Sequence, residues 1–481
     1  MNTKIIYGFV LLAIVQSIGK SQTTDFYPND ISDALNAYGN TFDAVGTARF
    51  IGMGGSMGAL GGDLSAVEMN PAGLGVYRGS EASISASVLS NKNTASMGSS
   101  YSNSDTNFNF PSAGFVLALG GNSEIWKFNV GGSFSYQRLD NSVQFSKNDN
   151  INYQYPDVSG VDRTYRFESL EQYTNGYRSK ANITFASNLQ DILYLGIGLD
   201  WHYLNMDRET RYSHRNTVDG ELMSFNEQLT PYRQENNGVG LRVGILGKIT
   251  PEIRLAAAYH SPIWWSNMKY DYLSYTLDAN NDIVQNYWYY DNYKLNSPGK
   301  IVLSGAFASD IINENNSLAV NLDFINYFNK DINFKSDYDY QLNNNFVNHS
   351  IQGSQEYRAG VEYRYKELKL RAGYAYASSP VKNKSVGGYY DNSLTSSIVY
   401  PKNYMAGEKN KLSFGAGYDV GPFFIDLAYQ YIKSDYYTSF SGEYFNYYDN
   451  SRVTVVENDR PILGKVKNVQ NNFILTLGMR F

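Results

Sequence analysis

Apolar residues recur at every second position through much of this chain, the period of a β-strand whose two faces meet different surroundings. In 192–204, Leu193, Leu195, Ile197, Leu199, Trp201 and Tyr203 share one face, and Tyr194, Gly196, Gly198, Asp200 and His202 share the other. The pattern returns as Val239, Leu241, Val243 and Ile245 against Gly240, Arg242 and Gly244. It returns again as Tyr357, Ala359, Val361 and Tyr363 against Arg358, Gly360, Glu362 and Arg364. The second face is small or polar, and arginine at mid-strand argues for a wet lumen, with the apolar face left for lipid.

Read at this period, the chain predicts fourteen strands. Seven fall at about 80–90, 110–119, 126–137, 179–189, 192–205, 237–248 and 252–262, and seven at about 299–308, 317–328, 354–366, 368–378, 410–419, 422–433 and 471–481. Short links occur at 120–125, 189–191, 249–252, 310–316, 365–368 and 419–422. Long links occupy about 91–109, 138–178, 206–236, 263–298, 329–353, 379–409 and 434–470. Alternating short turns and long loops, with both chain ends on the periplasmic side, are what an antiparallel transmembrane β-barrel of this size requires. A soluble β-propeller also has many short strands, but no blade-length repeat is present and the alternation of links is foreign to it.

The first 80 residues do not alternate. Residues 1–21 carry Lys4, an apolar stretch from Ile5 to Ile18, and small residues at Gly19 and Ser21, the pattern of a secretory signal with the mature chain expected to start at Gln22. Gln16 and Ser17 interrupt a run already short for a membrane anchor, which takes about 20 apolar residues. Across 22–79, Ile31, Ala34, Leu35 and Tyr38 are spaced for one face of a helix stopped by Gly39, and a glycine-rich stretch with Met and Leu follows from Arg49 to Gly62. This piece is too small to form its own core. The lumen offers it a place to bury its apolar side chains as a hatch or plug, the alternative being a loose periplasmic leader. The chain thus divides into a signal peptide at 1–21, a hatch at 22–79 and a barrel at 80–481.

Composition agrees with a barrel: 43 Tyr, 25 Phe and 42 Gly suit interfacial girdles and crowded wall positions. A mean hydropathy of -0.41 does not argue against the membrane, because lumen faces and outer loops dilute the apolar belt. With no cysteine, thiolate metal sites and cysteine nucleophiles are excluded. The net charge of -6 is mild and no run of Lys or Arg suggests nucleic acid.

The stretch Gly58-Ala59-Leu60-Gly61-Gly62-Asp63-Leu64-Ser65-Ala66-Val67-Glu68-Met69-Asn70-Pro71-Ala72-Gly73-Leu74 resembles the hatch of the long-chain fatty acid transporter family of outer-membrane proteins. Glu356–Tyr363, Leu370–Tyr376 with Pro380, Leu412–Tyr418 and Ile425–Tyr429 are similar to that family's paired late strands. The resemblance covers the hatch and the last third; the large loops resemble nothing. By itself Asn70-Pro71-Ala72 is equally an ordinary turn in which Pro71 fixes φ. The resemblance implies a monomeric barrel in the bacterial outer membrane with an N-terminal hatch, no cofactor, and passive uptake of small hydrophobic molecules such as long-chain fatty acids. It further implies release through an opening at a kink in the third strand, where Gly131 and Gly132 stand; these two glycines could equally relieve crowding against the hatch. The last strand, ending in Phe481, resembles the signal that barrel-assembly machinery reads.

Other signals carry less. Gly54-Gly55-Ser56-Met57-Gly58 matches the nucleophile elbow of serine hydrolases without its strand–helix context. Asp278, Asn280 and Asp282 open like a calcium loop, but Ile283 and Tyr289 stand where Gly and Glu are needed. His202, His214, His260 and His349 have no ligand spacing. Trp264 and Trp265 read as an aromatic girdle more readily than as a ligand clamp, and Tyr287–Tyr293 as an external landing patch or a self-packed loop. Uptake is the preferred function. Its rivals are a barrel of the same architecture serving as a scaffold or shuttle in protein secretion, and a lipid hydrolase using Ser56.

Overall fold

The computed structural model describes residues 28–39, 45–120, 125–146, 152–156, 162–226, 232–277, 283–310, 315–335, 341–383, 385–388, 397–440 and 462–481. The expected signal segment, Gln22 and the calcium-like Asp278, Asn280 and Asp282 lie outside the described residues.

The wall is built from β1 (Glu81–Met97), β2 (Ser99–Leu119), β3 (Trp126–Arg138), β4 (Asp162–Leu189), β5 (Leu193–Asn216), β6 (Tyr232–Lys248) and β7 (Ile253–His260). It continues through β8 (Lys300–Asp310), β9 (Asn316–Tyr327), β10 (Ser354–Tyr365), β11 (Leu368–Ala377), β12 (Glu408–Val420), β13 (Phe423–Phe440) and β14 (Ile462–Arg480). Each strand pairs antiparallel with the next. β14 returns to β1, with Glu81 opposite Arg480 and Ser96 opposite Lys465, so the sheet closes. All the strand segments expected from the sequence lie in this wall, a closed antiparallel barrel of fourteen strands.

The barrel is apolar outside and polar inside. On β5, Leu195, Ile197, Leu199 and Trp201 are exposed, while Tyr194, Asp200 and His202 are buried. Beyond Trp201 the outward positions become Tyr203, Asn205, Asp207, Glu209 and Arg211, which sets one edge of the apolar belt. From Leu193 to Trp201 this strand runs the length that crosses a hydrocarbon core, about 9–11 residues. An outward belt of this kind on a sheet with no free edge is the surface of a lipid-spanning barrel.

Several stretches expected as external loops are strand instead. Residues 91–97 and 99–109 extend β1 and β2, and β4 reaches 28 residues. The cause is physical: above the belt the outer face meets water and the inner face is mixed, polar at Asn91 and Asn93 and apolar at Ala95 and Met97, so regular alternation ends while the backbone ladder continues. Asn91 to Met97, for example, pair with Asp105 to Ser99 almost without an apolar residue. The stretch 263–298 holds the hairpin Trp264–Leu277 and Ile283–Asn296, and 329–353 holds a helix, Gln341–Ser350.

The N-terminal region lies within the wall in two parts. Helix α1 (Pro28–Asn36) sits at the long-hairpin end and buries Ile31, Ala34 and Leu35, with Tyr38 just beyond, against Leu204, Met206, Trp265 and Tyr404. Residues 45–79, here the inner segment, include helix α2 (Ala48–Gly52) and short 3-10 turns at Ala66–Glu68 and Pro71–Val76, and fill the half nearer the short turns. Helix α3 (Gln341–Ser350) joins α1 in a crown whose core includes Phe346, Val347, Ile351, Tyr400 and Tyr404. Tyr400 stacks on Tyr404 at 4.1 Å, and burial pushes its phenol up to about 12.

Candidate functional site

A segment of coil and short turns inside a barrel must satisfy its backbone without a ladder of its own. The wall supplies the partners. Asn129 donates to the Leu74 and Tyr77 carbonyls at 2.8 and 3.0 Å, Arg254 to the Leu60 carbonyl at 2.8 Å, and Arg358 to the Gly55 carbonyl at 3.0 Å. The Ala48 N–H donates to Thr476 at 2.7 Å and the Ala59 N–H to Asn321 at 3.2 Å. The polar lumen face of the strands therefore serves chiefly to bind the inner segment, which is why so many inward side chains are Asn, Ser, Thr and Arg.

Charges are matched in the same way. Arg49 makes a two-pronged pair with Glu362, both bonds 2.9 Å, and Arg371 bridges Glu362 and Asp426 at 2.6 Å each. Glu68 is paired with Lys180 and accepts from Asn182 at 3.0 Å, while Arg242, buried in the wall, contacts Asp200 at 2.8 Å and donates to the Val67 carbonyl. The mid-strand arginines that suggested a wet lumen thus have protein partners instead: Arg242 and Arg358 are ion-paired to Asp200 and Glu356 and hydrogen-bonded to the inner segment.

Two notches in the wall fix the segment's position. Gly196 of β5 and Gly244 of β6 are cross-strand partners, and a Cβ on the first would lie 2.3 Å from the Pro71 carbonyl carbon, on the second 2.0 Å from Asn70 Oδ1. Gly360 and Gly373 are partners likewise and receive Met53 and Gly54; Gly54 has a left-handed φ of 69° there. Asn70, Pro71 and Ala72 therefore occupy the first notch. Asn70 caps the turn at Pro71–Val76 by accepting from the Ala72 N–H at 3.0 Å, and donates to the Gly58 and Ile245 carbonyls at 3.2 and 3.1 Å.

Over this floor, in the long-hairpin half, lies a chamber of about 330 Å³. Helix α1 forms one side through Ser32, Asp33 and Asn36. It is held by Arg208, which pairs with Asp33 at 2.5 and 3.2 Å, and by Arg178, which donates to the Ala37 and Gly39 carbonyls at 2.8 and 2.9 Å. Trp265 donates to the Tyr38 carbonyl at 3.2 Å and meets its ring edge-on at 4.9 Å. Leu89, Phe145, Leu170, Met206, Tyr404 and Ile432 give the chamber its apolar surface.

Beside the chamber the wall changes character. A register shift on both sides of β2 leaves Pro111, which has no N–H, as an extra residue. The β2–β3 ladder ends at Phe110 opposite Tyr136, and beyond it no backbone pairing joins β2 to Asn141–Ser146 among the described residues. Side chains span the seam: Asn109 accepts from the Arg138 N–H at 2.7 Å, Asn107 donates to the Asp140 carbonyl at 3.1 Å, and Asp105 accepts from the Ser142 N–H and hydroxyl at 2.8 Å. Arg138 and Asp140, paired at 2.6 Å, line both the chamber and an outer groove of about 880 Å³ that also presents Phe108, Phe110, Phe134 and Tyr136.

Gly131 and Gly132, read from the sequence either as a kink for an opening or as relief of crowding against the hatch, lie in an unbroken ladder with β2 and β4. A Cβ on Gly131 would meet Leu74 of the inner segment at 2.9 Å, and one on Gly132 the Phe115 ring at 3.3 Å. Ser56 is buried, follows α2, donates to the Asn321 carbonyl at 3.0 Å and accepts from its amide at 2.9 Å, which is not an exposed nucleophile on an elbow. Trp264 does face outward, but Trp265 points inward onto Tyr38 and is no girdle residue. Neighbouring residues of a strand point to opposite faces, which is why the two tryptophans part. His260 contacts the Met69 carbonyl at 3.0 Å, and no group of metal-binding side chains occurs among the described residues.

No known family model matches the chain, and no curated protein matches it in sequence. Solved structures do match in shape. The P. putida toluene transporter TodX aligns at 14% identity over 91% of this chain and 99% of its own, with a TM-score of 0.54. The Ralstonia pickettii toluene transporter TbuX aligns at 17% identity over 93% and 99%, with a TM-score of 0.52. A Pseudomonas aeruginosa FadL homologue aligns at 14% identity over 92% and 100%, also with a TM-score of 0.52. Likeness at this level of identity establishes a shared fold over nearly the whole chain.

Proposed function

We propose that this chain is an outer-membrane transporter that takes up hydrophobic molecules passively, without catalysis or cofactor. One observation carries the reading: a partly apolar chamber stands over a firmly docked floor, beside a stretch of wall that is stitched by side chains. An apolar molecule gains nothing from a water-filled pore, but gains from a pocket that leads to lipid without a crossing of water. The floor blocks the straight path. The route we favour therefore runs from the crown into the chamber and out through the seam between β2 and Asn141–Ser146 to the aromatic groove, with the Arg138–Asp140 pair as its latch. This moves the exit from Gly131 and Gly132 toward the outer end of β3.

The hatch, on this reading, is the inner segment, and Asn70-Pro71-Ala72 is its anchor, acting by position. That the solved barrels of like shape include toluene transporters and a FadL homologue supports hydrophobic uptake as the class of function. A single chain closes the wall, so a monomer suffices, and the closing strand with its exposed Phe481 would be the handle for barrel-assembly machinery.

Native mass spectrometry with lipid extraction, on protein purified in mild detergent, tests the reading. A hydrophobic molecule retained by the wild type and lost in Leu170→Glu, which charges the chamber, is the expected result. An empty barrel with a co-purifying protein would move the assignment to the secretion shuttle.

A further inference from the structure

The chamber's polar wall says what kind of hydrophobic molecule fits, an inference that rests on the uptake reading. The cations around it are already engaged. Arg208 is neutralised by Asp33, Arg138 by Asp140, Arg178 is spent on the carbonyls of Ala37 and Gly39, and Lys409 is likewise partnered. An anionic head at Arg208 or Arg138 would have to break an ion pair and leave Asp33 or Asp140 uncompensated, and one at Arg178 would compete with the Ala37 and Gly39 carbonyls that hold helix α1.

What remains is a bank of primary amides. Asn91, Asn107, Asn141, Gln172, Asn468 and Gln470 face the chamber from β1, β2, β4, β14 and the strand Asn141–Ser146. Four amides are joined in a ring. Asn91 and Asn93 donate to Asn141 Oδ1 at 2.7 and 2.5 Å, and Asn468 donates to the oxygens of Asn91 and Asn93 at 2.6 and 2.7 Å. Each primary amide offers two donors and two acceptor lone pairs. Asn141 accepts both of its ring bonds through oxygen, so its amide N–H donors are not used within the ring. The ring holds its members in fixed orientation, and the apolar residues Leu89 and Ile432 pack together beside it.

A pure hydrocarbon entering this space would strip water from amides and return no hydrogen bond, a desolvation cost for every group covered. We infer that the chamber selects a neutral amphipath: a molecule with an apolar body and several uncharged hydroxyl or amide groups, bound by the Asn91–Asn141–Asn468 bank with its body against Leu89, Phe145 and Leu170. A molecule of the size of a monoacylglycerol with a ten-carbon chain suits the volume, since pockets for ligands of that order begin at about 300 Å³.

The test compares three ligands with ten-carbon chains, monodecanoylglycerol, decanoate and decane, by equilibrium dialysis of radiolabel against the full-length protein in lipid nanodiscs, with protein-free nanodiscs as reference. Monodecanoylglycerol is expected to bind saturably and at least about tenfold tighter than the other two, the worth of one or two neutral hydrogen bonds. Asn141→Leu is expected to remove that preference while decane binding is kept, and heat-dependent gel mobility verifies that the variant barrel is folded. Saturable binding of decane or decanoate as tight as monodecanoylglycerol would overturn the inference and leave the uptake reading standing. Binding of none above the protein-free reference would overturn both.

Discussion

Gly244 shows how one residue decides what the barrel can hold. With a side chain there, Asn70 Oδ1 would be met at 2.0 Å, whereas at Gly247, on the same strand, a Cβ would meet nothing within 4 Å. Gly244→Ala is expected to cost about 1–3 kcal/mol, the usual range for overpacking, and Gly247→Ala to leave the denaturation midpoint unchanged. Equal midpoints for the two variants would contradict the notch. Arg242 makes the complementary case: in Arg242→Met, Asp200 and Glu68 each lose a partner, and removal of one member of a buried pair costs about 3–5 kcal/mol. The double variant Arg242→Met/Asp200→Leu is expected to recover part of that loss in the same denaturation assay, since it no longer buries an unpaired carboxylate. The sequence made Asn70-Pro71-Ala72 stand out as a motif, and Gly196 and Gly244 as members of the polar face. That these residues meet was not legible, because the contact joins positions more than 120 apart and depends on register alone.

At the scale of elements, α1 and the inner segment are held by different forces. The inner segment is fixed by backbone contact with glycine notches and by buried pairs on many strands, whereas α1 rests on Arg208, Arg178 and the Trp265–Tyr38 contact. Trp265→Ala removes a ring contact and a hydrogen bond, a change of about 3–5 kcal/mol for a buried tryptophan. Limited proteolysis should then cut within 28–39 sooner while 45–79 stays protected; simultaneous cleavage of both would show that they are one unit. The amphipathic spacing of Ile31, Ala34, Leu35 and Tyr38 made α1 legible in advance. The hairpins above the belt were not, since stretches such as Asn91–Met97 and Ser99–Asn109 carry polar residues on both faces and their strand character comes from pairing with each other. The crown helix Gln341–Ser350, with its run of Asn343, Asn344 and Asn345, hid for a related reason: its turns are stabilised by packing of Phe346 and Val347 into the crown core, not by strong local propensity.

For the molecule as a whole, strand number and facing followed from the sequence because a lipid belt imposes a period of two wherever it is met, as Leu195 to Trp201 show on β5 and Phe473 to Met479 on β14. The chamber did not follow, because its lining is drawn from separated stretches that only closure of the sheet brings together. Its place over a floor docked into the wall and beside a stitched seam is the basis for the proposal of passive, lateral uptake. Entry of a radiolabelled hydrophobic compound into vesicles whose outer leaflet carries lipopolysaccharide is the most direct test. Reconstituted protein should speed entry in proportion to its amount and without any ion gradient, and Ser434→Trp, which fills the chamber, should abolish the acceleration. A rate equal to that of protein-free vesicles, or an acceleration that Ser434→Trp leaves intact, would contradict the assignment.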